Sequence, residues 1–188
     1  MRTRLGFMGW ILGAMLLLGA CQGTRSEPPG QKEATAVIRL ESSAFSAEGL
    51  IPKPNTCDGL DLSPPLSWSE LPRDTQSLVL ICEDPDAPLG TWDHWILFNI
   101  PPTIRSLSEG VSAEAVVVGI GMHGLNSWKR LGYGGPCPPQ GTTHRYYFRL
   151  YALDTMLDLE PGASKKEIGK AMEGHILASG ELMGRYGR

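Results

Sequence analysis

Three short stretches of the chain concentrate side chains able to bind or react. The first is Asp84-Pro85-Asp86-Ala87-Pro88, two carboxylates on a turn whose prolines lock φ. The second is Trp92-Asp93-His94-Trp95, an imidazole among aromatic rings. The third runs Gly134-Gly135-Pro136-Cys137-Pro138-Pro139-Gln140-Gly141-Thr142-Thr143-His144-Arg145-Tyr146. Imidazoles donate hydrogen bonds to an oxyanion and add charge when protonated. A carboxylate nearby repels a bare anion, yet it orients an imidazole or accepts from an ammonium group. Two glycines ahead of a proline let the backbone approach a ligand and turn N–H groups toward an anion. The prolines stiffen the loop, so little ordering entropy is lost on binding. Together these residues suit a zwitterionic phosphate ester, or a phosphate gripped by aspartate-oriented histidines.

Each residue also has a plainer structural reading. Asp84 and Asp86 can bond their own turn. A lone histidine is most simply a satisfied core group, and His175 on an apolar helix face fits that description. His123 sits in a glycine-rich stretch that assigns it no role, and Trp92, Trp95 and Trp128 serve packing or a pocket rim. What sets His94 and His144 apart is the company of the loop. No His or Cys pair has metal-ligand spacing, so neither a metal nor a cofactor is expected. A hydrolase would need Cys137 as nucleophile and His144 as base, against which its flanking prolines argue.

Positioning these groups falls to a framework of strands. Gly (23) and Pro (15) make up about a fifth of 188 residues, which disfavours a helical bundle and favours short strands joined by turns. With 41% hydrophobic and 20% charged residues the chain is globular, and its length fits one domain. Val37–Leu40 predicts a short strand, Leu78–Cys82 a buried one, and His94–Ile100 a central one that is apolar on both faces. Val116–Val118 predicts another, while Ser63–Trp68 is too proline-rich for a helix or a central strand. His144–Leu153 is the longest. Tyr146, Phe148, Leu150 and Ala152 share one face of it, Arg145, Tyr147, Arg149 and Tyr151 the other. By parity the His144 ring points inward at a strand end. Ser164-Lys165-Lys166-Glu167 fits a capping box. Ile168, Ala171, Met172, His175, Ile176 and Leu182 then recur at helical spacing, predicting one or two terminal helices.

The N-terminus reads as an address. Arg2 and Arg4 precede fourteen apolar or small residues, Phe7–Ala20, fewer than the about 20 a membrane-crossing helix needs. Leu18-Gly19-Ala20-Cys21 resembles the lipobox of bacterial lipoproteins, in which the signal is cut before a lipid-bearing cysteine. Residues 1–20 are thus expected to be a signal peptide. Residues 21–35 comprise lipidated Cys21 and a tether with no large apolar side chain, and 36–188 the folded domain. This implies a bacterial envelope protein anchored in a membrane, on the periplasmic face of the outer one if the host has two. Net charge is −3, or −5 once Arg2 and Arg4 are removed, so nucleic acid is no expected partner. In an oxidising compartment Cys82, inside an apolar run, is a buried thiol. Elimination pairs Cys57 with Cys137, both in turn-rich segments.

These blocks resemble the phosphatidylethanolamine-binding protein (PEBP) family. Asp84-Pro85-Asp86-Ala87-Pro88, His94-Trp95 and Gly135-Pro136-Cys137-Pro138-Pro139 through His144-Arg145-Tyr146 are similar to its signature blocks. Cys57-Asp58-Gly59 with Ser63-Pro64-Pro65-Leu66, Gly132-Tyr133-Gly134-Gly135 and Gly184-Arg185-Tyr186 resemble the bacterial Raf-kinase-inhibitor-like YbhB/YbcL branch. The resemblance runs in order from about Ala36 to the end. It implies a mainly β, two-sheet fold with C-terminal helices and one small anion pocket lined by Asp84, His94, Gly135, Pro136, His144 and Tyr146. It also implies a non-catalytic protein whose ligand is a small anionic or zwitterionic phosphate, such as a phosphoethanolamine head group. The alternative it leaves open is an inhibitor or scaffold acting through its surface on an envelope protein such as a peptidase. Export would separate the domain from any cytosolic kinase.

Overall fold

The run Leu78-Val79-Leu80-Ile81-Cys82 offers no polar face to water, so a strand made of it must be covered on both sides. In the computed structural model, which describes residues 36–188, this run lies in β4 (Ser77–Asp84), buried at every position. The signal, the lipidated Cys21 and the tether expected over 1–35 lie outside the described residues. Antiparallel neighbours flank β4: β5 (Trp92–Ile100) on one side and β9 (Thr143–Leu153) on the other. β10 (Ile176–Gly187) lies beyond β9, and β1 (Ala36–Val37) closes that edge in parallel. β8 (Gly121–His123) and β7 (Val116–Val117) complete the other edge of a seven-stranded sheet. β2 (Leu40–Glu41), β3 (Leu66–Trp68) and β6 (Ser106–Leu107) form a second sheet of three strands.

Two cores result, one on each face of the large sheet. Leu78, Leu80 and Cys82 join Trp95, Leu97, Tyr146, Phe148 and Leu150 against Leu40, Leu66, Trp68 and Leu107 of the small sheet. On the opposite face Val79, Ile81, Ile96 and Phe98 meet Ile168 and Met172 of the helix α1 (Lys165–Met172). The thiol of Cys82 is fully buried, as its apolar run requires. Cys57 and Cys137 form a disulfide that ties two loops 80 residues apart. The mainly β, two-sheet fold is therefore as expected, as are the strands at Leu78–Cys82, His94–Ile100 and His144–Leu153.

Two expectations change. Val37–Leu40 is not one strand: β1 and β2 belong to different sheets, and Ile38 crosses between them, donating its N–H to Ser179 O at 2.8 Å. The helical periodicity after Ser164 also stops early. The capping box forms, with Ser164 and Glu167 bonding each other's main chain, but α1 ends at Met172. Gly174 then adopts φ +82°, a left-handed turn that ends a helix at no steric cost. Residues from Ile176 onward pair with β9 along its whole length. Ala178, Gly180, Leu182 and Gly184 are buried at a period of two, and two of those four are glycines that carry no hydropathy signal.

The glycines are there because other chain segments lie directly on them. A Cβ on Gly180 would stand 2.1 Å from the carbonyl oxygen of Ile38, and one on Gly184 would stand 2.6 Å from Ile51 Cγ1. Gly180→Ala should therefore destabilise the domain by about 1–3 kcal/mol, since a backbone oxygen cannot rotate away. Gly169→Ala, exposed in α1 with open space around it, should stabilise by about 0.5–1 kcal/mol. Urea unfolding of both variants tests the contrast, and equal midpoints would refute it.

Candidate functional site

Asp84 is the last residue of β4 and His144 the second of β9. The antiparallel register sets Glu83 opposite Tyr147, so the two side chains come alongside each other on the inner face. His144 Nδ1 donates to Asp84 Oδ2 at 2.8 Å, and both side chains are buried. The other oxygen, Oδ1, accepts the Asp86 main-chain N–H at 2.8 Å. Asp84 thus satisfies both of its sequence readings, closing its own turn and orienting an imidazole. Asp86 is committed to Arg145, receiving its main-chain N–H and Nε at 2.9 Å and Nη2 at 2.6 Å. Those bonds hold the Asp86 carboxyl down to about 2, and they brace the turn against β9.

His94 reaches the same place by a break in pairing. Between β4 and β5 the register steps from Cys82 opposite Trp95 to Glu83 opposite Asp93, which leaves His94 as an extra residue. Such a bulge re-aims a side chain that strict alternation would send to the other face. Here Trp95 enters the inner core, and the His94 ring stands edge-on to Tyr146, with centroids 5.1 Å apart. Trp128 closes its other side at 5.0 Å. His94 Nδ1 donates to the carbonyl oxygen of Gly134 at 2.6 Å, while Gly134 returns its N–H to the His94 carbonyl at 2.9 Å. Burial pushes the His94 imidazole below its ordinary range. The Gly134 carbonyl and the carboxylates of Asp84, Asp61 and Asp93 work against that shift.

Asp84, His94 and His144 lie at one pocket of about 320 Å³. Its remaining walls are apolar. Ala87, Pro88 and Leu89 form one side, Trp92 and Trp128 another, and Cys137, Pro138 and Pro139 a third. Leu89, 94% exposed, stands at the rim. Trp92 and Trp128 meet edge-to-face at 5.3 Å and act as both packing and wall. Among the described residues no lysine or arginine lines the pocket. Among the described residues no group of three or more His, Cys, Asp or Glu could hold a metal ion.

Gly135, Pro136 and Tyr146 take places different from those expected. None lines the pocket. The Gly135 N–H, expected to face an anion, is consumed by Asp61 Oδ1 at 2.6 Å, and Pro136 has no N–H to offer. Glycine is needed at 135 because a Cβ would stand 2.8 Å from Thr56 Cα and 2.9 Å from Asn55 O; the close approach is to protein, not to ligand. Tyr146 is fully buried behind His94. Cys137 is held in the disulfide, so its sulfur offers His144 no thiol to deprotonate. Asp61, which fixes the loop through Gly135, escaped sequence reasoning. Its φ of +58°, a region that Asp tolerates better than most residues, is invisible in a sequence.

Residues 41–187 match the family described as phosphatidylethanolamine-binding protein. A UPF0098 protein of Methanothermobacter thermautotrophicus is 52% identical over 151 residues, covering 80% of this chain and 99% of the relative. A crystal structure of a PEBP homologue from Chlamydia trachomatis superposes with a TM-score of 0.74 at 46% identity, covering 82% of this chain and 99% of that one. Escherichia coli YbcL, described as a member of the mammalian PEBP family, gives 0.75 at 28% identity, over 81% and 99%.

The environment of His94 has a measurable consequence. Without ligand, its imidazole should titrate below about 6.5, the ordinary histidine value. Because the folded value is depressed, stability present above the unfolded value is lost as pH falls through the folded one. Asp84→Asn removes a carboxylate that favours the cation and should lower the His94 value further. NMR titration of the histidine ring protons, assigned with His94→Gln, decides this; a rise in Asp84→Asn would contradict it.

Proposed function

The chain belongs to the phosphatidylethanolamine-binding protein family, and from that premise we propose that it is a non-catalytic binding protein whose pocket receives a small phosphate-type anion. A phosphoethanolamine head group is the ligand best matched to it. The carrying observation is the meeting of Asp84, His94 and His144 at one pocket with apolar walls. Each ring has its Nδ1 anchored, to Gly134 O and to Asp84 Oδ2, which leaves Nε2 as the nitrogen available to a ligand. Asp84 orients His144, and the apolar walls lower the local dielectric, which strengthens a charge-assisted hydrogen bond. A volume of about 320 Å³ suits a head group, being at the small end of ligand pockets. The disulfide leaves Cys137 no free thiol for hydrolysis.

The reading extends to where the protein works. Lipidation at Cys21 would hold residues 36–188 at a bacterial envelope membrane, with the 22–35 segment spanning about 20 Å. Several acyl chains anchor stably because each buried methylene contributes about 0.8 kcal/mol. Within the family, the bacterial YbhB/YbcL branch is the proposed home, supported by the fold shared with YbcL.

His144→Ala should weaken phosphoethanolamine binding at least tenfold, the loss of a charge-assisted hydrogen bond of about 1.5–3 kcal/mol, while the protein still melts cooperatively. Calorimetry at about pH 6 measures this. Unchanged affinity would move the function to the outer surface, as an inhibitor or scaffold of an envelope peptidase. Separately, Cys21→Ser should release the protein from the membrane fraction of expressing cells. A wild-type N-terminus without lipid, read by mass spectrometry, would refute the anchor.

A further inference from the structure

Resting on the pocket being an anion site, we infer that it takes up protons together with its ligand, holding a phosphate-type oxyanion only when both His94 and His144 are imidazolium. The argument is geometric. A carbonyl oxygen can only accept, so the 2.6 Å contact between His94 Nδ1 and Gly134 O fixes a hydrogen on Nδ1. The carboxylate of Asp84 does the same to His144 Nδ1 at 2.8 Å. A neutral imidazole carries one N–H, so in each neutral ring Nε2 is a bare lone pair. Two lone pairs and a carboxylate repel an oxyanion. Tautomer exchange is no escape, because it would turn the Nδ1 lone pair onto Gly134 O or onto Asp84. Only a second proton on each ring creates donors that face a ligand.

The surroundings of the two rings supply no substitute. Among the described residues no lysine or arginine lines the pocket, so the positive charge they can give it is titratable. Around His94 stand Asp84 from β4, Asp61 from the 56–62 segment, Asp93 from its own strand and the Tyr146 phenol from β9. Around His144 stand Asp84, Asp86, the neighbouring Arg145 and, across the pairing with β10, Tyr186. Arg145 is spent on Asp86, and the Tyr186 hydroxyl donates to Asp58. Carboxylates therefore surround both rings, and an arriving anion adds its own charge to theirs, whereas burial disfavours the His94 cation in the empty pocket. Proton and oxyanion favour each other's binding, and the coupling is reciprocal.

Protein purified from cells is titrated calorimetrically with sn-glycero-3-phosphoethanolamine and, as a free inorganic oxyanion, sulfate, from about pH 5 to about pH 8. Neither probe changes protonation over that range, and buffers of different ionisation enthalpy count the protons. Affinity for the bound probe should fall tenfold or more between about pH 6.5 and about pH 7.5, with one to two protons taken up per ligand. Binding of the head-group probe alone points to a lipid-derived ligand, and equal binding of sulfate points to a free anion. His94→Gln should lower the proton count by about one, and the wild-type count stands whether or not that variant folds. Binding with constant affinity and no proton uptake overturns the coupling and leaves the anion pocket intact. Failure of both probes at the acidic end overturns the pocket reading and the coupling with it.

Discussion

A buried imidazole and a buried carboxylate, His144 and Asp84, hold each other at 2.8 Å at the ends of adjacent strands. Neither could be left there alone, because an unpaired buried charge or polar group costs several kcal/mol. The pair therefore constrains more than itself. It requires β4 and β9 to keep a register in which residue 84 lies beside residue 144, and a slip of one residue would turn one of the two to the opposite face. It also constrains the turn that follows, since Oδ1 of the same carboxylate receives the Asp86 N–H. Asp86 in turn is clamped by Arg145, the residue after His144, so strand, turn and ring are locked in one closed circuit of bonds.

His94 enters that circuit from the third strand through a bulge and is fixed by a different acceptor, the Gly134 carbonyl. The two rings therefore share a logic while their partners differ in charge. The partner of His144 is a carboxylate, whereas heavy burial leaves His94 reluctant to charge against the pull of its carbonyl partner. A buried group whose protonation is perturbed by its surroundings is found at functional sites more often than chance allows. Trp128 and Tyr146 press on both sides of the His94 ring, so its position is set by packing before any ligand arrives.

Much of this was legible in the sequence, and what was missed has physical reasons. β4 and β9 announced themselves through apolar composition and strict alternation, and alternation alone directed His144 inward. His94 obeys no such parity, because a bulge depends on a partner strand that a single sequence does not reveal. β10 was hidden by its own function. Gly180 and Gly184 are small so that Ile38 and Ile51 can lie on the sheet, and small residues erase the period-two pattern that marks a strand. The glycines before Pro136 read in the sequence as places where the backbone meets a ligand. They are approached by Trp128, Asp61 and Thr56 rather than by a ligand, and residue types alone do not distinguish those cases.

The pocket walls differ in how firmly they are held, and this bears on what the site can accept. On one side Pro138 and Pro139 follow a disulfide to Cys57, and the Cys57 N–H donates to Pro136 O at 3.2 Å. Trp128 is likewise packed, against Gly134 on one side and edge-on to the Trp92 and His94 rings. These walls are set in advance, so binding against them orders little and rejects misfits. On the other side the Asp84–Gly90 turn is anchored at its base by Asp86, but its tip carries an exposed Leu89 and a Gly90 at φ +99° with nothing within 4 Å. A ligand larger than the hollow meets two braced walls and one exposed turn. Accommodation of differing substituents on a common anionic group must therefore come from the 87–90 turn, while the two rings read the charge.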